Sequence, residues 1–170
     1  ALSAIEAALL DIKGKALGVP VYELLGGKVR DSIPCYANAW FTGAREPEDF
    51  AEKAKRVLDL GFSALKWDPF GSAYMQLTPA ETRKALRCIE AVREAVGPDV
   101  HLMIEGHGRF DVPTAIRFSK QMADLDPYWF EEPIPPESIE AVAEVRRHGG
   151  CPIATGERYY ENARFLDLIE

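Results

Sequence analysis

The sequence predicts an α/β protein whose strands lie parallel in one sheet. Three observations predict it. From residue 33 onward, short apolar runs of strand length alternate five times with longer runs whose apolar residues recur at helical spacing. The short runs are mostly apolar rather than alternating, as strands buried on both faces tend to be. Each connection between them is long enough for a crossover helix, which parallel pairing needs.

The elements follow in order. Leu2, Ile5, Leu9 and Ile12 space as a helix that Gly18-Val19-Pro20 stops, and a short second helix falls at residues 22–27. On spacing alone these are ordinary packing helices ahead of the sheet. Residues 33–40 form the first predicted strand. Residues 48–60 are a helix with Phe50, Ala54, Val57 and Leu58 on one face and Gly61 as its stop. The second strand is 63–67. A helix at 79–96 opens with Thr78 as cap and Pro79 at its first position, and Gly97-Pro98 closes it. Then come a strand at 100–104, a helix at 113–123 and a strand at 128–130. A helix at 138–147 ends at Gly149-Gly150, the fifth strand is 152–155, and another helix begins at Glu161.

Two architectures carry such a repeat, an open doubly wound sheet or a (β/α)8 barrel. The first strand is not followed by a glycine-rich dinucleotide turn, which counts against the open sheet. Five units are too few for a closed barrel, so a barrel here is a partial one.

Bulk properties narrow the partners. The net charge of −7 offers no basic stripe, which argues against nucleic acid or an anionic membrane. No run reaches the roughly 18 to 20 apolar residues of a membrane helix. Cys35, Cys88 and Cys151 are odd in number and widely spaced, so a disulfide framework or a zinc site is not expected and a cytoplasmic location is. The first residue is Ala, so the chain is expected to be cut from something longer.

In parallel βα proteins the strand C-termini share one face, where reactive groups collect. On this rim stand Asn38, then Lys66 and Asp68, then Glu105 and His107, then Glu131 and Glu132, and finally Glu157. Glu105, Glu131 and Glu157 are separated by 26 residues and again by 26, which places equivalent side chains on neighbouring strands. Each alone reads as a solvated residue at a loop start. Together they would repel one another unless a cation held them, and oxygen-only ligation suits Mg2+, then Mn2+. His107 stands two residues past Glu105, between Gly106 and Gly108, which leave room for a ligand. An imidazole there suits a general acid or base. His101 and His148 read as structural. Lys66 is a base, an anion clamp or a salt-bridge partner. Asn38, Asp68 and Arg109 are expected to bind substrate, with Arg109 alternatively pairing with a rim carboxylate and Asp68 and Glu132 also open to supporting or surface roles.

These positions resemble the mandelate racemase and muconate lactonizing branch of the enolase superfamily. ALSAIEAALLDIKGKALGVPVYELLGG looks like the segment joining that family's capping domain to its barrel. ALKWDPFG, LMIEGHGRF, YWFEEP and IATGER look like its second to fifth strand ends. The resemblance implies linker helices over 1–30 and a partial (β/α)8 barrel over 31–170, with the capping domain and the last three strands lying outside these residues. It implies Glu105, Glu131 and Glu157 as Mg2+ ligands, although the family usually has Asp at the first. Lys66-Trp67-Asp68 stands where many members carry Lys-x-Lys, so racemases and cycloisomerases that use the second lysine fit less well. His107 matches the histidine of the acid-sugar dehydratases. The implied activity is dehydration of an aldonate. The proton beside the carboxylate is abstracted to give an enediolate, His107 (or Lys66) moves protons, and the β-hydroxyl leaves to yield a 2-keto-3-deoxy acid. A racemase or epimerase of the same superfamily and a non-catalytic metal-binding βα scaffold are the alternatives. The stretch by itself is expected to be inactive, and the intact protein to be a homo-oligomer acting on a small molecule.

Overall fold

A computed structural model describes residues 2–170. The chain divides into two compact units, Ala1–Pro34 and Cys35–Glu170. The first holds α1 (Leu2–Leu17) and α2 (Val21–Leu24). Gly18, at φ 68, turns the chain out of α1 as predicted.

The second unit is a βα repeat. In chain order it contains α3 (Pro47–Asp59), β1 (Ala64–Trp67), α4 (Pro79–Val96), β2 (His101–Glu105) and α5 (Val112–Gln121). It continues with a single 3-10 turn (Ala123–Leu125), β3 (Trp129–Glu131), α6 (Ile139–His148), β4 (Ile153–Ala154) and α7 (Asn162–Ile169). The four strands pair in sequence order, all parallel. Helices α4, α5 and α6 start where side chains satisfy some of their free N–H groups. Thr78 and Glu81 form a reciprocal capping box at α4, Asp111 accepts from Thr114 N at 2.8 Å at α5, and Ser138 caps α6.

The predicted first strand shrinks to one bridge. Ala37 N donates to Ala64 O and Ala37 O accepts from Lys66 N, both at 2.9 Å. Beyond it the extended run ends, as Ala39 turns to φ 57 with the Asn38 side chain accepting its N–H. An apolar run proved necessary for a strand but not sufficient.

Strand alternation divides the sheet into two faces. Leu65, Trp67, Leu102, Ile104 and Phe130 point toward the helices and form the core with Phe50, Ala54 and Val57 of α3, Ile89 and Val92 of α4, Phe118 of α5 and Val145 of α6. Phe70 joins them edge-on to Phe110 and Phe118, with centroids 4.8 and 4.9 Å away. The in-between residues, Lys66, Met103, Glu105, Trp129 and Glu131, occupy the opposite face, and that face leads to the functional rim.

Candidate active site

The register brings charge together. Lys66 pairs with Met103, and Glu105 with Glu131, so the ammonium reaches up one layer to two carboxylates side by side. Lys66 Nζ lies 2.6 Å from Glu131 Oε1 and 3.1 Å from Glu105 Oε2, with its side chain only 9% exposed. The Tyr36 ring closes its third side at 5.4 Å. Burial alone would lower the Lys66 pKa, but the bonds to Glu131 and Glu105 outweigh it and hold it above the ordinary lysine value. Lys66 is therefore held here as a cation between the two carboxylates. Glu131 Oε2 accepts from Trp129 Nε1 at 3.0 Å, and Glu105 Oε1 from His107 N at 2.8 Å. Burial raises the Glu105 pKa; the His107 N–H opposes this, the neighbouring Glu131 charge adds to it, and Lys66 opposes it again.

Past Glu105 the chain keeps pairing with the end of β3. Gly106 N donates to Glu131 O at 2.8 Å and Gly108 N to Glu132 O at 2.7 Å. A Cβ on Gly106 would stand 2.7 Å from Glu132 O, so only glycine lets the two backbones approach this closely. His107 has φ 53 and leaves its ring 53% exposed on the rim. Its Nδ1 is 2.9 Å from Asp68 Oδ2, and Arg109 Nη2 touches the same Asp68 oxygen. Arg109 also donates to Gly106 O and Gly71 O, both at 2.9 Å. Of the three residues assigned to substrate, Asp68 and Arg109 thus pair with each other, the alternative the sequence left open for Arg109. Asn38 is exposed, its Oδ1 accepting from Ala39 N at 2.8 Å.

A second charged group escaped the sequence reading. Arg158 Nε lies 3.0 Å from Glu132 Oε2 and 3.8 Å from Glu157 Oε1, and Arg158 Nη2 donates to His107 O at 3.1 Å. Its guanidinium lies against Gly108, where a Cβ would meet Nη1 at 2.5 Å. Glu132 is 1% exposed, and burial pushes its pKa up while Arg158 counters. The available signal was the excess of acids predicted on the rim, which calls for a cation from a neighbouring strand end. Glu157 is half-exposed and faces Arg158. Two of the three expected ligands thus meet through Lys66, and the third shares Arg158 with Glu132. Among the described residues, no group of three or more His, Cys, Asp or Glu side chains is arranged to hold a metal ion.

The donor set still fits a hard cation in kind. Glu105, Glu131 and Glu157 all act on the buried Glu132, and these four carboxylates meet two cations, Lys66 and Arg158. The charge left unmet equals that of one divalent ion. Beside Asp68 and His107 opens a cleft of about 700 Å3, walled by the 41–46 and 68–71 loops and by Lys84 and Cys88 of α4. That volume suits a small organic ligand. No helix among the described residues is long and apolar enough to cross a membrane.

Comparison with known proteins matches residues 49–170 to the family described as Enolase C-terminal domain-like. Residues 1–26 match the mandelate racemase / muconate lactonizing enzyme N-terminal domain. The chain is 49% identical to a D-gluconate dehydratase of Thermoproteus tenax over 169 residues, 99% of this chain and 34% of that protein. It is 38% identical to a D-gluconate/D-galactonate dehydratase of Picrophilus torridus, again over 99% of this chain and 43% of the relative. The crystal structure of a mandelate racemase/muconate lactonizing enzyme from Sulfitobacter sp superposes with a TM-score of 0.87 at 32% identity, covering 97% of this chain and 44% of that one. The chain spans less than half the length of each of these relatives.

Proposed function

The chain belongs to the mandelate racemase and muconate lactonizing branch of the enolase superfamily, and from that premise we propose that the intact protein is a sugar-acid dehydratase. The substrate class is a small aldonate, as the names of the dehydratase relatives suggest. The observation that carries the reading is the rim itself. A solvent-accessible imidazole, His107, stands two residues beyond a buried carboxylate that already grips a cation jointly with its neighbour.

Glu105, Glu131 and Glu157 would hold the divalent ion, Mg2+ or Mn2+. When bound, it supplies positive charge to the oxygens of the substrate carboxylate as the adjacent proton is lost. The chain's own residues do the rest. Lys66 is held protonated, so it neutralises acids and does not abstract a proton. His107 takes the proton beside the carboxylate and passes it to the departing β-hydroxyl, which leaves as water, and the resulting enol becomes a 2-keto-3-deoxy acid. The unit 35–170 is the part of the barrel that carries these groups, and residues 1–30 lead into it from a capping domain, a reading that the match over residues 1–26 supports. We further take the intact protein to be a homo-oligomer.

The test is an assay of the intact protein with gluconate, galactonate and xylonate in the presence of MgCl2, read as 2-keto-3-deoxy acid. His107→Asn is expected to lower turnover by about a hundredfold or more. Solvent deuterium entering the substrate without loss of water would instead identify a racemase or epimerase.

A further inference from the structure

We infer that Asp68 is a positioning residue for His107: its carboxylate holds the imidazole at Nδ1, so that Nε2 is the atom presented to a ligand. The inference rests on His107 being the proton-moving group of the reaction proposed above. Asp68 stands just past the end of β1, one strand away from His107, and its side chain is 13% exposed. Both of its oxygens are taken. Oδ1 accepts from Phe70 N at 2.8 Å; Oδ2 lies 2.9 Å from His107 Nδ1 and also contacts Arg109 Nη2.

Arg109 Nη2 lies 3.2 Å from Nδ1 as well, so two hydrogen-bonding patterns compete. If Nδ1 accepted from Arg109, its lone pair would face a carboxylate lone pair at 2.9 Å, an arrangement without a proton between two acceptors. With the proton on Nδ1, both N–H groups converge on Oδ2 and every atom is satisfied. Arg109 cannot drift from this role, because its other donors bind the carbonyls of Gly106, Gly71 and Ala73. His107 needs such a tether: it sits in the left-handed region at φ 53 with its ring more than half exposed, and Asp68 fixes the ring plane through an anion.

Asp68→Asn preserves shape but offers an N–H toward Nδ1, which favours the opposite tautomer. In 15N NMR of the neutral imidazole, the wild-type His107 is expected to carry its proton on Nδ1 and the D68N variant on Nε2. Turnover of the aldonate by D68N should fall by about a hundredfold or more in kcat with KM nearly unchanged. Arg109→Lys, which loosens the carboxylate without removing it, should give a smaller fall of the same kind and serves if D68N does not fold. A tautomer unchanged in D68N, or a rise in KM with kcat intact, overturns the assignment. The NMR readout needs no substrate. A tautomer switch in a protein that dehydrates no aldonate would therefore sink the reaction and leave the Asp68–His107 geometry standing.

Discussion

Lys66 shows how much one side chain can oblige the rest of a site. Its ammonium is nearly sealed from water and lies against two carboxylates, which are themselves 6% and 13% exposed. Such a triad is poor evidence of net stabilisation, since all three groups lost their hydration to form it, but removing the central charge strands the other two. Lys66→Met is therefore expected to cost about 3–5 kcal/mol in urea unfolding. If a divalent ion binds these glutamates, MgCl2 should recover more stability in the variant than in the wild type. Unchanged unfolding in Lys66→Met would mean that the two carboxylates bear no charge to strand. The residue types on this rim were legible in the sequence because strand ends of a βα repeat fall at countable positions. Their partners were not. Nothing in the order of residues says that Asp68 reaches His107 from the neighbouring strand end, or that Arg158 pairs with Glu132 and draws Glu157 toward it; these depend on loop paths and on which acids share a cation.

At the scale of elements, the turn after β2 is where sequence and site meet. It is wedged beneath the end of β3, and Gly106 is the thinnest point of the wedge. A methyl group there would press on Glu132 O at 2.7 Å and on Pro133 Cα at 2.9 Å, both backbone atoms that cannot rotate away. Gly106→Ala should cost about 1–3 kcal/mol by overpacking and, because Glu131 and Glu132 must shift, should also lower activity. Ser138→Ala, at the start of α6, removes a cap and should cost about 1 kcal/mol with activity intact. Comparing the two variants by urea unfolding and turnover separates damage to the site from loss of stability alone. Helices were the more legible elements, since caps such as Thr78 and terminal prolines are local signals. The strand predicted at 33–40 was not legible in the same way, because a strand exists only through its neighbours. The turn at Ala39 ends the extended run soon after the bridge at Ala37.

For the molecule as a whole, burial is graded along the chain, and local stability should follow it. In the second unit, Leu65, Leu102, Ile104 and Phe130 are completely buried at the centre of the sheet, with Phe118 and Ile89 packed over them. β4 has two half-buried residues, and α7 buries none, leaving Leu166 and Ile169 exposed at 61% and 80%. In the first unit, α1 buries a single residue, Gly14. Helices without a buried face open locally at little cost, whereas amides in a packed sheet exchange only when the whole unit unfolds. Hydrogen exchange of this chain should therefore find β1, β2 and β3 protected to the level of global unfolding, with α1 and α7 exchanging far sooner. A divalent ion bound by Glu105 and Glu131 would raise protection in β2 and β3 most, since it ties together two strands that are already paired. Uniform protection from α1 through α7 would contradict the gradient, because it would require apolar contacts that these helices do not make in this structure.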